Sequence, residues 1–318
     1  MKDVKKVACV GGGVIGSSWA LLFAMKGVPT ILYDVNNEMI EKAKTSVDKN
    51  LKNLLELEAI NQETADKAVQ NLKYTTDMKT AVSEADMVQE SGPERLEIKQ
   101  SILKQVEEYL PFNSLYVTSA SALKVSDIAR DAKNPERCIA GHPYNPPHLI
   151  PLVEVALGDH TTEDTVISLK TFYESIGKEV VILRKECPGY ISNRLQVAIT
   201  REELDLVQRG VCSFEDAEKA MVYGPGIRWA IFGMGMVLQL SSPGGYEEAN
   251  KKLAPATNQY LADMADWKEL PEEMFPKVQK EIDHMMENYP DYIGHDNETI
   301  SKYRDKCLVE ILKLHHKL

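Results

Sequence analysis

The stretch KKVACVGGGVIGSSWALLFAMK, residues 5–26, decides the reading of the fold. Residues 5–10, KKVACV, read as a short strand that ends in an apolar run; residues 11–16 are a glycine turn, and residues 17–26 carry an apolar helical pattern. TILYD, residues 30–34, then supplies a second β-rich run. Strand, glycine turn, helix and strand make a βαβ unit, and a βαβ unit at the head of a chain predicts a doubly wound, Rossmann-like parallel sheet.

A GxGxxG pattern alone is weak, but this one follows a strand and opens a helix. In that setting Gly11 makes the tight turn, Gly13 lets a pyrophosphate approach the backbone, and Gly16 lets the helix pack against the strand. The amides of Val14, Ile15 and Gly16 then face the phosphates from the helix N-terminus. Asp34 closes the second strand, where a carboxylate accepts both ribose hydroxyls and repels a 2′-phosphate. Val35, Asn36 and Asn37 offer no arginine to hold that phosphate. NAD is therefore the expected cofactor rather than NADP; a flavin-type or vestigial site is the alternative.

Working outward, 318 residues suit two domains, or one enlarged by a helical extension. A charged fraction of 27% and an apolar fraction of 43% are those of an ordinary globular protein, with no apolar run of membrane-spanning length and no signal peptide ahead of the first strand. The net charge of -11 argues against a nucleic-acid partner. Cys9, Cys138, Cys187, Cys212 and Cys307 are scattered and odd in number, which suits a reducing cytoplasm and neither a disulfide framework nor zinc. No metal is expected.

Residues 36–71 read as two charged helices. DMVQES, SLYVTS and RCIAGH follow as β-rich segments around helical stretches at 95–108 and 123–131, and PLVEVAL and EVVILRK bracket one more helix. After Pro188 the periodicity turns helical for good, at 190–209, 214–223, 228–241, 246–265, 272–288 and 297–315. Gly210 stops the first of these, and Ser213 with Asp216 resembles a capping box. The expected division is an NAD-binding domain over residues 1–187 and an all-helical domain over 188–318. The many apolar helix faces of the second predict pairing with another copy, a homodimer.

GHPYNPPHLIPLVEV, residues 141–155, holds the candidate chemistry. Moving a hydride from an alcohol to NAD needs a base for the hydroxyl proton and a group that fixes the base's tautomer. His142 and Glu154 suit these tasks, although spacing alone favours reading His142, which precedes a proline, as a polar loop residue. His148 reads as a loop residue, and no other histidine has metal-ligand spacing.

GHPYNP with PLVEV, SASAL at 119–123, ADMVQESGPERLEIK at 85–99 and PGYISNRLQ at 188–196 resemble the L-3-hydroxyacyl-CoA dehydrogenase superfamily, from the glycine loop to about residue 245. NRLQVAI, GIRWAIFG and YRDKCLVEILKL bring the chain nearest the branch that contains lambda-crystallin (L-gulonate 3-dehydrogenase) and L-carnitine dehydrogenase. The resemblance implies His142 as base with Glu154 as its partner, and Ser121 and Asn193 as hydrogen-bonding groups around the reacting oxygen. It implies Glu94, Lys99, Ser119 and Asn145 on the nicotinamide and ribose side of the cofactor. A homodimer also fits the resemblance.

Departures from the acyl-CoA members bear on the substrate. Those members resemble one another in a lysine-rich hairpin after the second strand, whereas NLKNLLELEAIN, residues 50–61, has one lysine and two glutamates. Their terminal GKGFY is absent, and GPGIRWAIFG carries Arg228 where they tend to show MGPFE. An arginine fork captures a carboxylate, and Trp229 beside it offers a face to a trimethylammonium group; a surface ion pair for Arg228 and helix packing for Trp229 are the alternatives. The expected activity is NAD-dependent oxidation of the 3-hydroxyl of a small L-3-hydroxy acid of carnitine, gulonate or 3-hydroxybutyrate type. A short-chain acyl-CoA such as 3-hydroxybutyryl-CoA is the second reading, and a non-enzymatic crystallin-like role the third. A GxSxG hydrolase elbow is missing.

Overall fold

Eight short strands organise the first unit of the chain. The computed structural model describes residues 3–318 and resolves two compact units, one running to Ser192 and including Lys317–Leu318, the other spanning Asn193–His316. In chain order the first unit comprises β1 (Val7–Val10), α1 (Val14–Met25), β2 (Thr30–Tyr33), α2 (Asn37–Glu56), α3 (Gln62–Asn71), β3 (Leu72–Thr75), α4 (Met78–Val82), β4 (Met87–Glu90), α5 (Leu96–Val106), β5 (Leu115–Thr118), α6 (Val125–Ile128), β6 (Cys138–Pro143), β7 (Leu152–Leu157), α7 (Glu163–Ser175) and β8 (Glu179–Leu183).

The sheet order is β3-β2-β1-β4-β5-β6-β7-β8. Every pairing is parallel except β6 with β7. The parallel strands β1, β4 and β5 are buried at every residue, because helices cover both faces. On one face Trp19 of α1 stacks on Phe23 and on Tyr173 of α7, and Phe23 meets Phe172 of α7 with its ring tilted. On the other, Met78, Val82, Leu103, Val106, Val125 and Ile128 from α4, α5 and α6 pack on Val88 and Tyr116. Strand order reverses between β1 and β4, so the loops after their carboxyl ends open the crevice where doubly wound sheets take ligands. The glycine turn lies there.

The second unit is helical: α8 (Ser192–Gln208), α9 (Phe214–Met221), α10 (Ile227–Trp229), α11 (Met234–Gln239), α12 (Gly245–Asp263), α13 (Phe275–Glu287) and α14 (Asn297–Leu314). Gly210, at a φ of 71°, follows α8, and the Ser213 hydroxyl accepts the Asp216 amide to start α9. Asp296 caps α14 through a full capping box.

Two local expectations need correction. Residues 228–241 are not one helix: α10 ends at Trp229, and Gly233 caps the separate α11. β3 and α4 lie in the interval between the charged helices and DMVQES, where the pattern had suggested no element. β3 is a four-residue edge strand with only Leu72 buried, so it shows no continuous apolar run. No helix among the described residues is long and apolar enough to cross a membrane.

Candidate active site

At the glycine turn, Gly11 has a φ of 99°, and a Cβ there would stand 2.8 Å from the Ser91 carbonyl oxygen. A Cβ on Gly16 would stand 1.8 Å from the Gly11 carbonyl oxygen, so any side chain would force the turn off the helix. A Cβ on Gly13 meets nothing within 4 Å. Gly13 is the N-cap of α1 with no side-chain cap, and Val14 beside it is 68% exposed. The turn is thus open at Gly13 and Val14, where a pyrophosphate would meet the helix N-terminus. Asp34 is buried, its Oδ2 accepting the Gly12 amide at 2.7 Å and its Oδ1 the Val35 amide at 2.7 Å. Both oxygens keep further lone pairs for ribose hydroxyls. This cradle fits NAD.

The antiparallel register of β6 on β7 sets His142 directly opposite Glu154. Their contact, Nδ1 to Oε2, is 3.1 Å, with His142 at 6% and Glu154 at 1% exposure. Glu154 also accepts the Ile191 amide at 2.9 Å, the Ser192 amide at 2.9 Å and the Ser192 hydroxyl at 2.7 Å. Burial, the largest single influence, pushes its carboxyl up; the bonds from His142, Ser192 and Ile191 together outweigh it and hold the group below the ordinary carboxylate range. An ionised carboxylate only accepts, so Nδ1 carries the hydrogen, and in the neutral tautomer Nε2 is the nitrogen with the lone pair.

Tyr190 and Ser192 were not singled out from the sequence. The Tyr190 ring stacks on His142 with centroids 4.6 Å apart and planes 3° from parallel. Its hydroxyl donates to the Ala120 carbonyl at 2.8 Å, next to Ser121. Burial pushes the Tyr190 phenol up, with Glu94, Glu154 and Glu186 adding to the effect, so it stays a neutral donor. Tyr190 has a φ of 50°, a left-handed conformation uncommon outside glycine, which the stack and the hydroxyl bond hold in place. The signal available in the sequence was PGY, a turn that delivers an aromatic ring just ahead of a helix.

Ser121 lies on the loop after β5. Glu94 Oε1 gathers three consecutive amides of that loop, those of Ser121, Ala122 and Leu123, at 3.0, 2.9 and 3.2 Å. Lys99 is buried beneath it; its ammonium donates to both Glu90 oxygens, at 2.9 and 3.1 Å, and to the Gly92 carbonyl at 3.2 Å, and stands 4.0 Å from Glu94. Ser119 Oγ is bonded to Ser91 Oγ and to Gln89, both at 2.9 Å. Asn145 is exposed on the turn after β6. His148 is a buried anchor rather than a bystander of this turn, with Nδ1 2.8 Å from Ser18 Oγ.

In the helical unit, Asn193 is the second residue of α8 and half-buried. Arg228 sits in α10, just after a distorted turn, Val222–Gly226, that contains Pro225. It is exposed and forms no ion pair with any of the described residues. Trp229 is half-buried, and its indole nitrogen has no hydrogen-bond partner among them.

Known proteins match this arrangement along the chain. Residues 6–187 match the 3-hydroxyacyl-CoA dehydrogenase NAD binding domain and residues 189–281 the C-terminal domain of the same family. A 3-hydroxyacyl-CoA dehydrogenase of Gibberella moniliformis is 37% identical over 84% of this chain and 84% of its own. An L-carnitine dehydrogenase of Streptomyces coelicolor is 32% identical over 98% of this chain and 95% of its own. Among solved structures, an NAD-dependent dehydrogenase of a formyl-hydroxy-methylpyridine carboxylic acid superposes with a TM-score of 0.81 at 25% identity, covering 98% of both chains. The chain belongs to the 3-hydroxyacyl-CoA dehydrogenase family and is an NAD-dependent oxidoreductase.

Proposed function

We propose that the protein oxidises the 3-hydroxyl of a small, free L-3-hydroxy acid, with L-carnitine the first substrate to test. The observation that carries this reading is the uncommitted guanidinium of Arg228, exposed and without an acidic partner among the described residues. An arginine fork of this kind suits a substrate carboxylate. The one lysine of residues 50–61, Lys52, is itself engaged at 3.7 Å with Glu56, which leaves little positive charge for the phosphates of a CoA tail. Several relatives at 30–37% identity are L-carnitine dehydrogenases.

In this reading His142 Nε2 takes the proton of the 3-hydroxyl, and Glu154 holds the ring and stabilises the imidazolium that forms. NAD, when bound, supplies the acceptor for the C3 hydride. Ser121 and Asn193 hydrogen-bond the reacting oxygen, on the strength of their chemistry and the family resemblance. Gly11, Gly13, Val14, Ile15, Gly16 and Asp34 hold the adenosine diphosphate portion, with Ser119, Glu94 and Asn145 on the nicotinamide side. Lys99, tied to Glu90, supports Glu94 from below. Trp229 offers an aromatic face to a quaternary ammonium. We assign cofactor binding to residues 1–187, and substrate selection and dimerisation to residues 188–318. The exposure of Ile227, Ile231, Phe232, Leu240, Tyr260 and Leu261 supports a homodimer through the helical unit. Five free thiols support a cytoplasmic location.

The test is NADH formation with L-carnitine, L-gulonate, L-3-hydroxybutyrate and 3-hydroxybutyryl-CoA side by side. Highest kcat/KM on a free acid is expected; activity confined to the thioester would overturn the proposal.

A further inference from the structure

The turn that follows His142 is held by two residues of the cofactor helix and by one buried lysine. Ser18 Oγ accepts the His148 amide at 3.0 Å and stands 2.8 Å from His148 Nδ1. Trp19, the next residue of α1, presents its ring to the Lys178 ammonium at 4.8 Å. Lys178 is 5% exposed, and its Nζ donates to the Pro147 carbonyl at 2.5 Å and the Ile150 carbonyl at 2.9 Å. Gly177, at a φ of 90°, ends α7 and leads into Lys178. No ion pair of Lys178 with a carboxylate occurs among the described residues.

Such a lysine is costly unless its bonds do something. Burial lowers its ammonium to about 7, with the charge of Lys26 adding to the effect. A neutral amine still has two N–H groups, which equals the number of carbonyls it serves, so the two bonds survive in either protonation state. Both carbonyls belong to a turn whose two prolines have no amide hydrogen, so the turn cannot satisfy itself as a regular element would.

We propose that Ser18, Trp19 and Lys178 form a clamp that couples NAD binding at the start of α1 to the ordering of residues 144–150, with Lys178 as its positioning residue. Ser18 lies little more than one helical turn from the first-turn amides that face the pyrophosphate, and an α-helix transmits a shift of its end rigidly over that distance. Coupling of this kind is reciprocal: ordering the turn tightens the cofactor, and the cofactor orders the turn. The same turn carries Asn145 and continues the strand that bears His142.

The test needs no turnover. NADH affinity is measured by nucleotide fluorescence, and hydrogen exchange of residues 144–150 is followed with and without NADH, in the wild type, Lys178→Met and Ser18→Ala. In the wild type NADH slows exchange in the turn. Lys178→Met is expected to weaken NADH binding by about tenfold and to abolish that slowing, and Ser18→Ala to act in the same direction to a smaller extent. A lysine that only supports the fold would lower the Tm and leave NADH affinity within about twofold of wild type; that result, with exchange still slowed by NADH, overturns the proposal. Should Lys178→Met lack a cooperative melting transition, Ser18→Ala decides alone by the same two readouts.

Discussion

His142 and Arg228 sit in regions of opposite construction. His142 is buried in the sheet, paired in register with Glu154, stacked on Tyr190, and backed by four donors on a single carboxylate. Arg228 sits in a three-residue helix beside a distorted, proline-containing turn, exposed and without an acidic partner among the described residues. The first region fixes geometry at every atom, as proton transfer demands. The second leaves a charged group uncommitted, as recognition of a small ligand demands. On the proposed reading, reaction type rests on the buried, heavily bonded pair, and substrate choice on the exposed side chain of Arg228.

That contrast breaks most directly at His142, the proposed base. His142→Gln is expected to lower kcat about 10³-fold on every substrate while NADH affinity by fluorescence stays near wild type. Near-normal turnover would show that the buried pair is architecture only. Arg228→Met should raise KM for the acid substrate by roughly 10- to 100-fold with KM for NAD held, since one charge-assisted contact is worth about 1.5–3 kcal/mol. An equal rise for both would point to misfolding. Tyr190→Phe keeps the stack and removes only the bond to the Ala120 carbonyl, so a drop in kcat of about two- to tenfold is expected, without change in NADH affinity.

The smallest effect sharpens the account of Glu154. Its folded-state carboxyl is held low, so its contribution to stability is fully present above the unfolded carboxylate value, about 4.3, and is lost as pH falls through the lower folded value. Ser192→Ala removes one of the bonds that lower it. The Tm of this variant should therefore lie below wild type at neutral pH, with the gap narrowing as the pH falls through the lowered folded-state value of Glu154. A gap independent of pH would mean that the serine acts through packing.

What the sequence made legible was local in kind. The glycine turn, the helix and strand that follow it and Asp34 at that strand's end belong to one contiguous βαβ pattern, and His142 and Glu154 lie on neighbouring strands of one hairpin. The parts that stayed hidden depend on distant residues or on weak patterns. Ser18 meets His148 across 130 positions, and Tyr190 reaches Ala120 across 70. Nothing in HLI marks His148 as an anchor, because its role depends on where α1 comes to rest. The break after α10 was hidden for another reason: residues 228–241 are apolar enough to continue a helical period, and Gly233 opens a new helix from an extended backbone, which no change in polarity marks.

The central claim, that chemistry and substrate choice reside in separate places, is tested most directly by the ratio of kcat/KM for L-carnitine to kcat/KM for 3-hydroxybutyryl-CoA in wild type and in Arg228→Met. The account predicts a ratio favouring the free acid in the wild type that collapses at least about tenfold in the variant, with thioester turnover unchanged. A ratio that favours the thioester from the outset, or one that Arg228→Met leaves intact, would contradict it.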